Sequence, residues 1–314
     1  MTSFRHSLFA LTALCALGTC VAAPVQAAAG WHALANIPTP VGAAAVGEVN
    51  GIIYVAGGQA PGASAVTQAF NPAKNTWSTV ASLPETLYQG DGTATINGAL
   101  YVAGGWNASL PTNTLYVFNP ASNSWSTKAT MSHLSGCGVS AEINSLLYVT
   151  SPCNGFTGYA SLLDVYDPAA NAWTSLAPSL SAHGAGAGAA INGLLYVAGG
   201  VNNSNAVTGA TEVYNPATNS WKALAAMPTP VQAAASVELD GQLYVFGGDD
   251  GTGTPQSLVQ VYNPVKNKWT VSSYALPAAI VSAGAVVTDG IAFVEGGGGP
   301  SPVNEDLTVL PTIP

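Results

Sequence analysis

Two sets of residues recur along this chain at one period, and together they restrict what it can fold into. Short apolar segments end in paired glycines at Tyr54–Gly58, Tyr101–Gly105, Tyr196–Gly200, Tyr244–Gly248 and Phe293–Gly297. One further copy, Tyr148-Val149-Thr150-Ser151-Pro152, has lost its glycines. Tryptophan recurs in step at positions 31, 77, 125, 173, 221 and 269, spaced by 46 residues once and by 48 thereafter. Asn-Pro or Asp-Pro turns precede the last five of these tryptophans, and an aromatic residue precedes each turn: Phe70, Phe118, Tyr166, Tyr214 and Tyr262.

Each unit reads as four strands. In the first copy these are Val41–Val49, Ile52–Ala56, about Thr67–Phe70, and a strand from Trp77 that stops at Pro84. An Asn-Gly or Asp-Gly pair between two apolar runs closes a tight hairpin, because both residues accept positive φ. Such pairs stand at Asn50-Gly51, Asn97-Gly98, Asn192-Gly193, Asp240-Gly241 and Asp289-Gly290, with Asn144-Ser145 as a weaker copy. A unit of this size cannot bury its apolar faces alone, so the copies must stack on one another. The periodic tryptophans and Phe/Tyr residues are therefore read as core.

These motifs resemble the kelch-repeat β-propeller family over residues 31–310. The resemblance implies an all-β, six-bladed propeller with four antiparallel strands per blade around a central channel. The blades are expected at about 39–84, 85–132, 133–180, 181–228, 229–277, and 278–314 together with 31–37. The last unit has strands at Ile280–Thr288, Ile291–Glu295 and Leu307–Leu310 but no tryptophan strand. Trp31–Ile37 is expected to supply that outer strand, which would close the ring and remove an open sheet edge.

Only 7% of residues are charged, against about 25% in ordinary soluble proteins, too few to clothe long amphipathic helices. Six basic residues stand against 15 acidic ones, and Arg5 is the sole arginine. That balance argues against nucleic acid and against a polybasic membrane surface as partners. Residues 1–27 read as a secretory signal peptide: Arg5-His6, an apolar run Leu8–Ala23, then small residues around Val25-Gln26-Ala27. The run is too short and wrongly flanked to span a membrane. Lipoprotein anchoring at Cys20 is disfavoured by Thr19 before it. The expected mature chain, 28–314, has five lysines, no arginine and no membrane span, and its expected destination is the periplasm or the medium.

That chain keeps two cysteines, Cys137 and Cys153. Across the Asn144-Ser145 hairpin, Cys137 faces position 152, one residue from Cys153, and exported chains retain disulfides. A Cys137–Cys153 bridge is expected, the alternatives being two buried thiols or a thiol joined to His133 at a metal.

Function on a propeller resides in departures from the repeat at one rim of the channel. The lead-ins to the first strand of each blade and the residues after the glycine pair form such a rim. Its candidate ligand-binding residues are Tyr88, Asp91, Trp106, Asn107, Asn154, His183, Asn202 and Asp249. Trp106 is the tryptophan outside the periodic set, and Asp91 stands where other copies have Ala44, Gly138, Gly186 and Ala234. Asp249 and Asp250 are adjacent and point apart in an extended segment, so they are not a carboxylate pair. His133 and His183 do not make a metal site by themselves. No metal, cofactor or catalytic residue is assigned. Kelch propellers include galactose-oxidase-type copper enzymes, but no stretch here matches their ligand pattern. Relatives such as the periplasmic sialic acid epimerase, and adaptors that grip acidic peptides, favour arginine. Val41, Ser135 and Val231 stand where those adaptors place it. The expected function is recognition of an extracellular or periplasmic protein or glycan through this rim. The alternatives are a carbohydrate enzyme (epimerase, mutarotase or oxidase) using Tyr88, Asp91 and His183, and a structural module without a discrete ligand site.

Overall fold

The computed structural model describes residues 31–59, 62–88, 92–107, 110–150, 153, 158–297 and 308–310. The expected signal peptide lies outside them. A two-residue strand β1 (His32–Ala33) comes first. Blade 1 follows as β2 (Ala45–Val49), β3 (Ile52–Ala56), β4 (Thr67–Asn71) and β5 (Thr76–Val80). Blade 2 is β6 (Gly92–Ile96), β7 (Ala99–Ala103), β8 (Leu115–Asn119) and β9 (Ser124–Thr127). Blade 3 is β10 (Ser140–Ile143), β11 (Leu146–Thr150), β12 (Leu163–Asp167) and β13 (Ala172–Ser175). Blade 4 is β14 (Ala187–Ile191), β15 (Leu194–Ala198), β16 (Thr211–Asn215) and β17 (Ser220–Ala223). Blade 5 is β18 (Ala235–Leu239), β19 (Gln242–Phe246), β20 (Val259–Asn263) and β21 (Lys268–Val271). The chain ends with β22 (Gly284–Thr288), β23 (Ile291–Glu295) and β24 (Thr308–Leu310).

Within each blade, consecutive strands pair antiparallel. The first strands β2, β6, β10, β14, β18 and β22 pack side by side in a ring that returns to β2. The hairpin joining the first two strands of each sheet turns on two residues of positive φ, as its tight turn demands; even Ser145 adopts φ 63° after Asn144 at 55°. The glycine pairs join blades. The second glycine's N–H donates to the lead-in of the next blade, as in Gly58 to Leu87 O (2.7 Å) and Gly200 to Val231 O (2.7 Å). A Cβ on Gly57, at φ +73°, would lie 2.2 Å from Leu87 O, so the close approach requires glycine.

The outer strands are pinned by a two-point clamp. In each of the five blades a tryptophan indole donates to a backbone carbonyl of the preceding unit: Trp77 to Ala35 (2.7 Å), Trp125 to Ala81 (2.8 Å), Trp173 to Ala129 (2.7 Å), Trp221 to Ala177 (2.8 Å) and Trp269 to Ala225 (2.9 Å). Two residues earlier, Asn75, Asn123, Asn171, Asn219 and Asn267 accept from the N–H of those same alanines. Each tryptophan also packs on its blade's Phe or Tyr, with ring centroids 4.9 Å apart for Phe70–Trp77 and 5.2 Å for Tyr262–Trp269.

The expectation of a six-bladed propeller is corrected by this pattern: the repeat blades number five, not six. Five blades are continuous and carry the full clamp. The remaining four-stranded sheet is a composite in the order β1-β24-β23-β22. Its outer strand is not the seven-residue Trp31–Ile37 segment but His32–Ala33, paired with Val309 and Thr308. No aromatic residue occupies its third strand, so Trp31 packs edge-on against Phe246 of blade 5 (5.9 Å). The Trp31 indole N–H has no hydrogen-bond partner among the described residues. The ends of the chain thus complete the ring without reproducing a repeat.

Cys137 and Cys153 form a disulfide with Cα atoms 5.4 Å apart. At the second-glycine position blade 3 has Pro152, a residue without an N–H. Mass spectrometry of the alkylated, non-reduced protein should find neither cysteine labelled. Reduction should cost about 3 kcal/mol of stability, the value the loop length implies; unchanged chemical denaturation after reduction would contradict this.

Candidate ligand-binding rim

The channel mouth is built from backbone and small side chains. Ala185 N–H donates to Cys137 O, Ala233 to Ala185 O, Ser282 to Ala233 O and Ala43 to Ser282 O, each at 2.7–2.8 Å. These four donors all sit at positive φ, between 50° and 58°. For a residue with a Cβ that is strained backbone, held here by the inter-blade hydrogen bonds. The cavity behind them is about 210 Å³ and is lined by Ala, Gly, Ser, Val, Thr and Cys137. Its described walls carry no ionisable group.

The chemistry lies farther out, on the lead-ins and post-glycine loops. Tyr88 and Trp106 exchange both backbone hydrogen bonds (3.0 and 2.8 Å) and stack at 6.5 Å with a 20° interplanar angle. The Trp106 indole does not fold back over its own loop. It reaches blade 3 and donates to Gly136 O at 2.7 Å. A Cβ on Gly136 would stand 2.2 Å from the indole nitrogen, so glycine is required there. Trp106 remains half-exposed, and Asn107 beside it is exposed. Asn107 donates to Glu85 at 3.4 Å, and Glu85 accepts from the Tyr116 hydroxyl at 2.7 Å. Burial first, then the hydrogen bond and charge of Glu85, push the Tyr116 phenol up to about 12.

His183 does not belong to this surface. It is 3% exposed, with Nδ1 2.8 Å from Gly199 O and Nε2 3.3 Å from Ser181 Oγ and 3.4 Å from Glu212. Both ring nitrogens are engaged inside blade 4, so the ring is not available to a ligand at the rim. The reason is a recurrent buried polar position in the third strand that holds the lead-in of the same blade. Gln68 and Gln260 do this by accepting from and donating to the backbone of Thr39 and Thr229. In blade 3 the position is Asp164, 3.0 Å from His133. In blade 4 it is Glu212, which accepts from Leu180 N–H, Ser181 N–H and Ser181 Oγ. The other candidates are dispersed. Asn202 accepts from Ser204 and Ala206 N–H, and Asp249 accepts from Gly251 N–H, so each shapes its own loop. Asp91 and Asn154 lie outside the described residues.

Burial raises the Glu212 carboxyl, but the hydrogen bonds from His183, Ser181 and Leu180 outweigh it and hold the group below its ordinary value. Ionised Glu212 therefore supports the fold above the unfolded-chain pKa, and that support is lost as pH falls through the lower folded value. Glu212→Gln, the residue used at 68 and 260, should flatten the loss of stability in acid. Parallel acid-unfolding curves for the two proteins would rule this role out.

Sequence reasoning passed over the clamp asparagines and Tyr159, whose ring packs on Gly184. The asparagines were visible two residues before each of five tryptophans, whereas Tyr159 breaks no visible pattern.

Stacked four-stranded blades, stitched by glycine pairs and tryptophan clamps and carrying an aromatic rim, define a kelch-type β-propeller. A family model described as Attractin/LZTR1 beta-propeller matches residues 53–304, and the chain belongs to that family. Among solved structures it is similar to YjhT, with a TM-score of 0.74 and 18% identity over 88% of this chain and 95% of that one. At that identity the two share a fold. Comparison with curated protein sequences gives no match. No helix among the described residues is long and apolar enough to cross a membrane.

Proposed function

We propose that this protein is an exported recognition module that binds an uncharged glycan at the rim of blades 2 and 3, around Trp106. The observation that carries the reading is the mounting of Trp106. Backbone pairing to Tyr88 and the indole bond to Gly136 O fix it before any ligand arrives, while it stays half-exposed beside Asn107. A fixed aromatic face offers apolar contact at little entropic cost, and a neighbouring amide takes hydroxyl groups. The absence of arginine beyond Arg5 favours an uncharged ligand. The leader-like residues 1–27 and the disulfide support export to an oxidising compartment.

A protein partner is the second reading, favoured by Leu110 and Leu134, which are 51% and 40% exposed on the adjoining loop and lead-in. A glycan and protein array probed with chain 28–314 separates the two. Trp106→Ala should weaken retention about tenfold and lower stability less than it lowers binding, because the ring is partly exposed. Trp125→Ala, which breaks a clamp, should do the reverse. Equal melting losses would make Trp106 framework and remove it from the site.

A further inference from the structure

We propose a second sugar-binding site, in the groove between the post-glycine loops of blades 3, 4 and 5, with Tyr159 as its stacking platform. The groove measures about 580 Å³ and is lined by Tyr159, Asn205, Val207, Gln232, Asp250 and Thr252 among others. That volume lies within the roughly 300–1,000 Å³ of small-ligand sites and suits a di- or trisaccharide.

No repeat role calls for an aromatic residue at 159. The bridges that pair Cys153 with Tyr159 in blade 3 pair Gln59 with Ala63, Trp106 with Pro111, Val201 with Val207 and Asp249 with Pro255 in the other blades. Tyr159 is nonetheless firmly seated. Its ring edge lies on Gly184, where a Cβ would stand 2.2 Å from Cδ1 and Cε1. Its carbonyl accepts from Asn203 Nδ2 at 3.1 Å, and its bridge partner Cys153 is tied to Cys137. A ring immobilised beforehand loses little freedom when a sugar stacks on it.

The polar groups facing it are of two kinds. Asp250 is built in: Oδ1 accepts from Thr252 N–H (2.9 Å) and Oγ1 (2.7 Å), and Oδ2 from Gln256 (3.3 Å). The bonds from Thr252 hold its carboxyl below the ordinary value, so it stays an acceptor. The side-chain amides of Asn205 and Gln232, by contrast, make no hydrogen bond among the described residues. An aromatic face, two amides and an ionised carboxylate match a polyol, whose adjacent hydroxyls donate to the carboxylate and exchange bonds with the amides. The carboxylate disfavours anionic ligands. Val207 is too small to form the deep apolar pocket that anchors a peptide side chain.

The site rests on the carbohydrate reading of the rim only for ligand class, and its test separates the two. The oxidised chain 28–314 is screened against uncharged cello-, malto-, manno- and chito-oligosaccharides, and retained sugars are titrated calorimetrically. Tyr159→Ala and Gln232→Ala should each weaken one sugar about tenfold, while Tyr159→Phe and Trp106→Ala leave that affinity unchanged. Reduction of Cys137–Cys153 should weaken the same sugar by loosening the platform. Retention of no uncharged sugar, retention indifferent to Tyr159→Ala and Gln232→Ala, or groove-dependent retention of peptides alone would overturn the proposal. Loss with Trp106→Ala only would leave the rim and remove the groove.

Discussion

A chain lacking residues 28–38 should fail to accumulate as soluble, folded protein. This segment supplies β1, the outer strand of the composite sheet, and buries Ile37 against Val41 and Val55. Leu34 and Ala35 pack with Ile53, Phe70 and Phe293, where the composite sheet meets blade 1. Losing one buried aliphatic side chain costs about 2–5 kcal/mol. Deletion would also remove the Ala35 backbone that Asn75 Oδ1 and Trp77 Nε1 hold, so blade 1 would lose its clamp. Those losses together rival the whole stability of an ordinary domain, about 5–15 kcal/mol. They also expose an edge of β24 that can recruit other chains. Expression yield and a thermal melt read the outcome, and a truncated protein that melts like the full one would show that the ends do not hold the ring.

The second large effect is expected at Trp269. Its side chain is 7% exposed, packs on Tyr262 at 5.2 Å, and donates to Ala225 O at 2.9 Å with Thr211 Oγ1 at 3.2 Å. Truncating a buried tryptophan costs about 3–5 kcal/mol, a fall in melting temperature of roughly 10 °C for a chain of this size. Trp269→Phe keeps a ring against Tyr262 but loses the donor and part of the buried indole volume, so it should cost less than Trp269→Ala. If the two variants melted together, the indole hydrogen bond rather than packing would be carrying the clamp. Comparable losses are expected at Trp173 and Trp221, because each joins one unit to the next and the stability of a stacked array depends on those junctions.

The repeat was legible because hairpin turns and sheet cores are local. Asn50-Gly51 needs only its own backbone to select a turn, and Tyr54 to Gly58 needs only alternation and a glycine break to end a strand. The bridge between Cys137 and Cys153 was within reach for the same reason, since hairpin register follows from the turn. What joins one blade to another was not legible in that way. The clamp on Ala35 comes from side chains 40 and 42 residues away. Nothing in the spacing of the asparagines says which backbone they hold.

The rim divides along the same line. Trp106 was identifiable as a departure from the periodic set, but its attachment to Gly136 depends on how closely blade 3 approaches blade 2. His183 occupies a rim position by count, yet counting along a strand gives position and not the direction of a side chain. Glu212 and Gly199 O, brought near by the third and second strands of the same blade, draw it inward. Tyr159 gains its place from Gly184, in the next blade. The sequence alone therefore determined the repeated unit, its hairpins, the paired cysteines and the dearth of positive charge, all set by neighbours along the chain. Tertiary structure decided how the ends complete the ring, which polar side chains face inward and which aromatic residues are mounted at the rim, because each depends on contacts made across blades and strands.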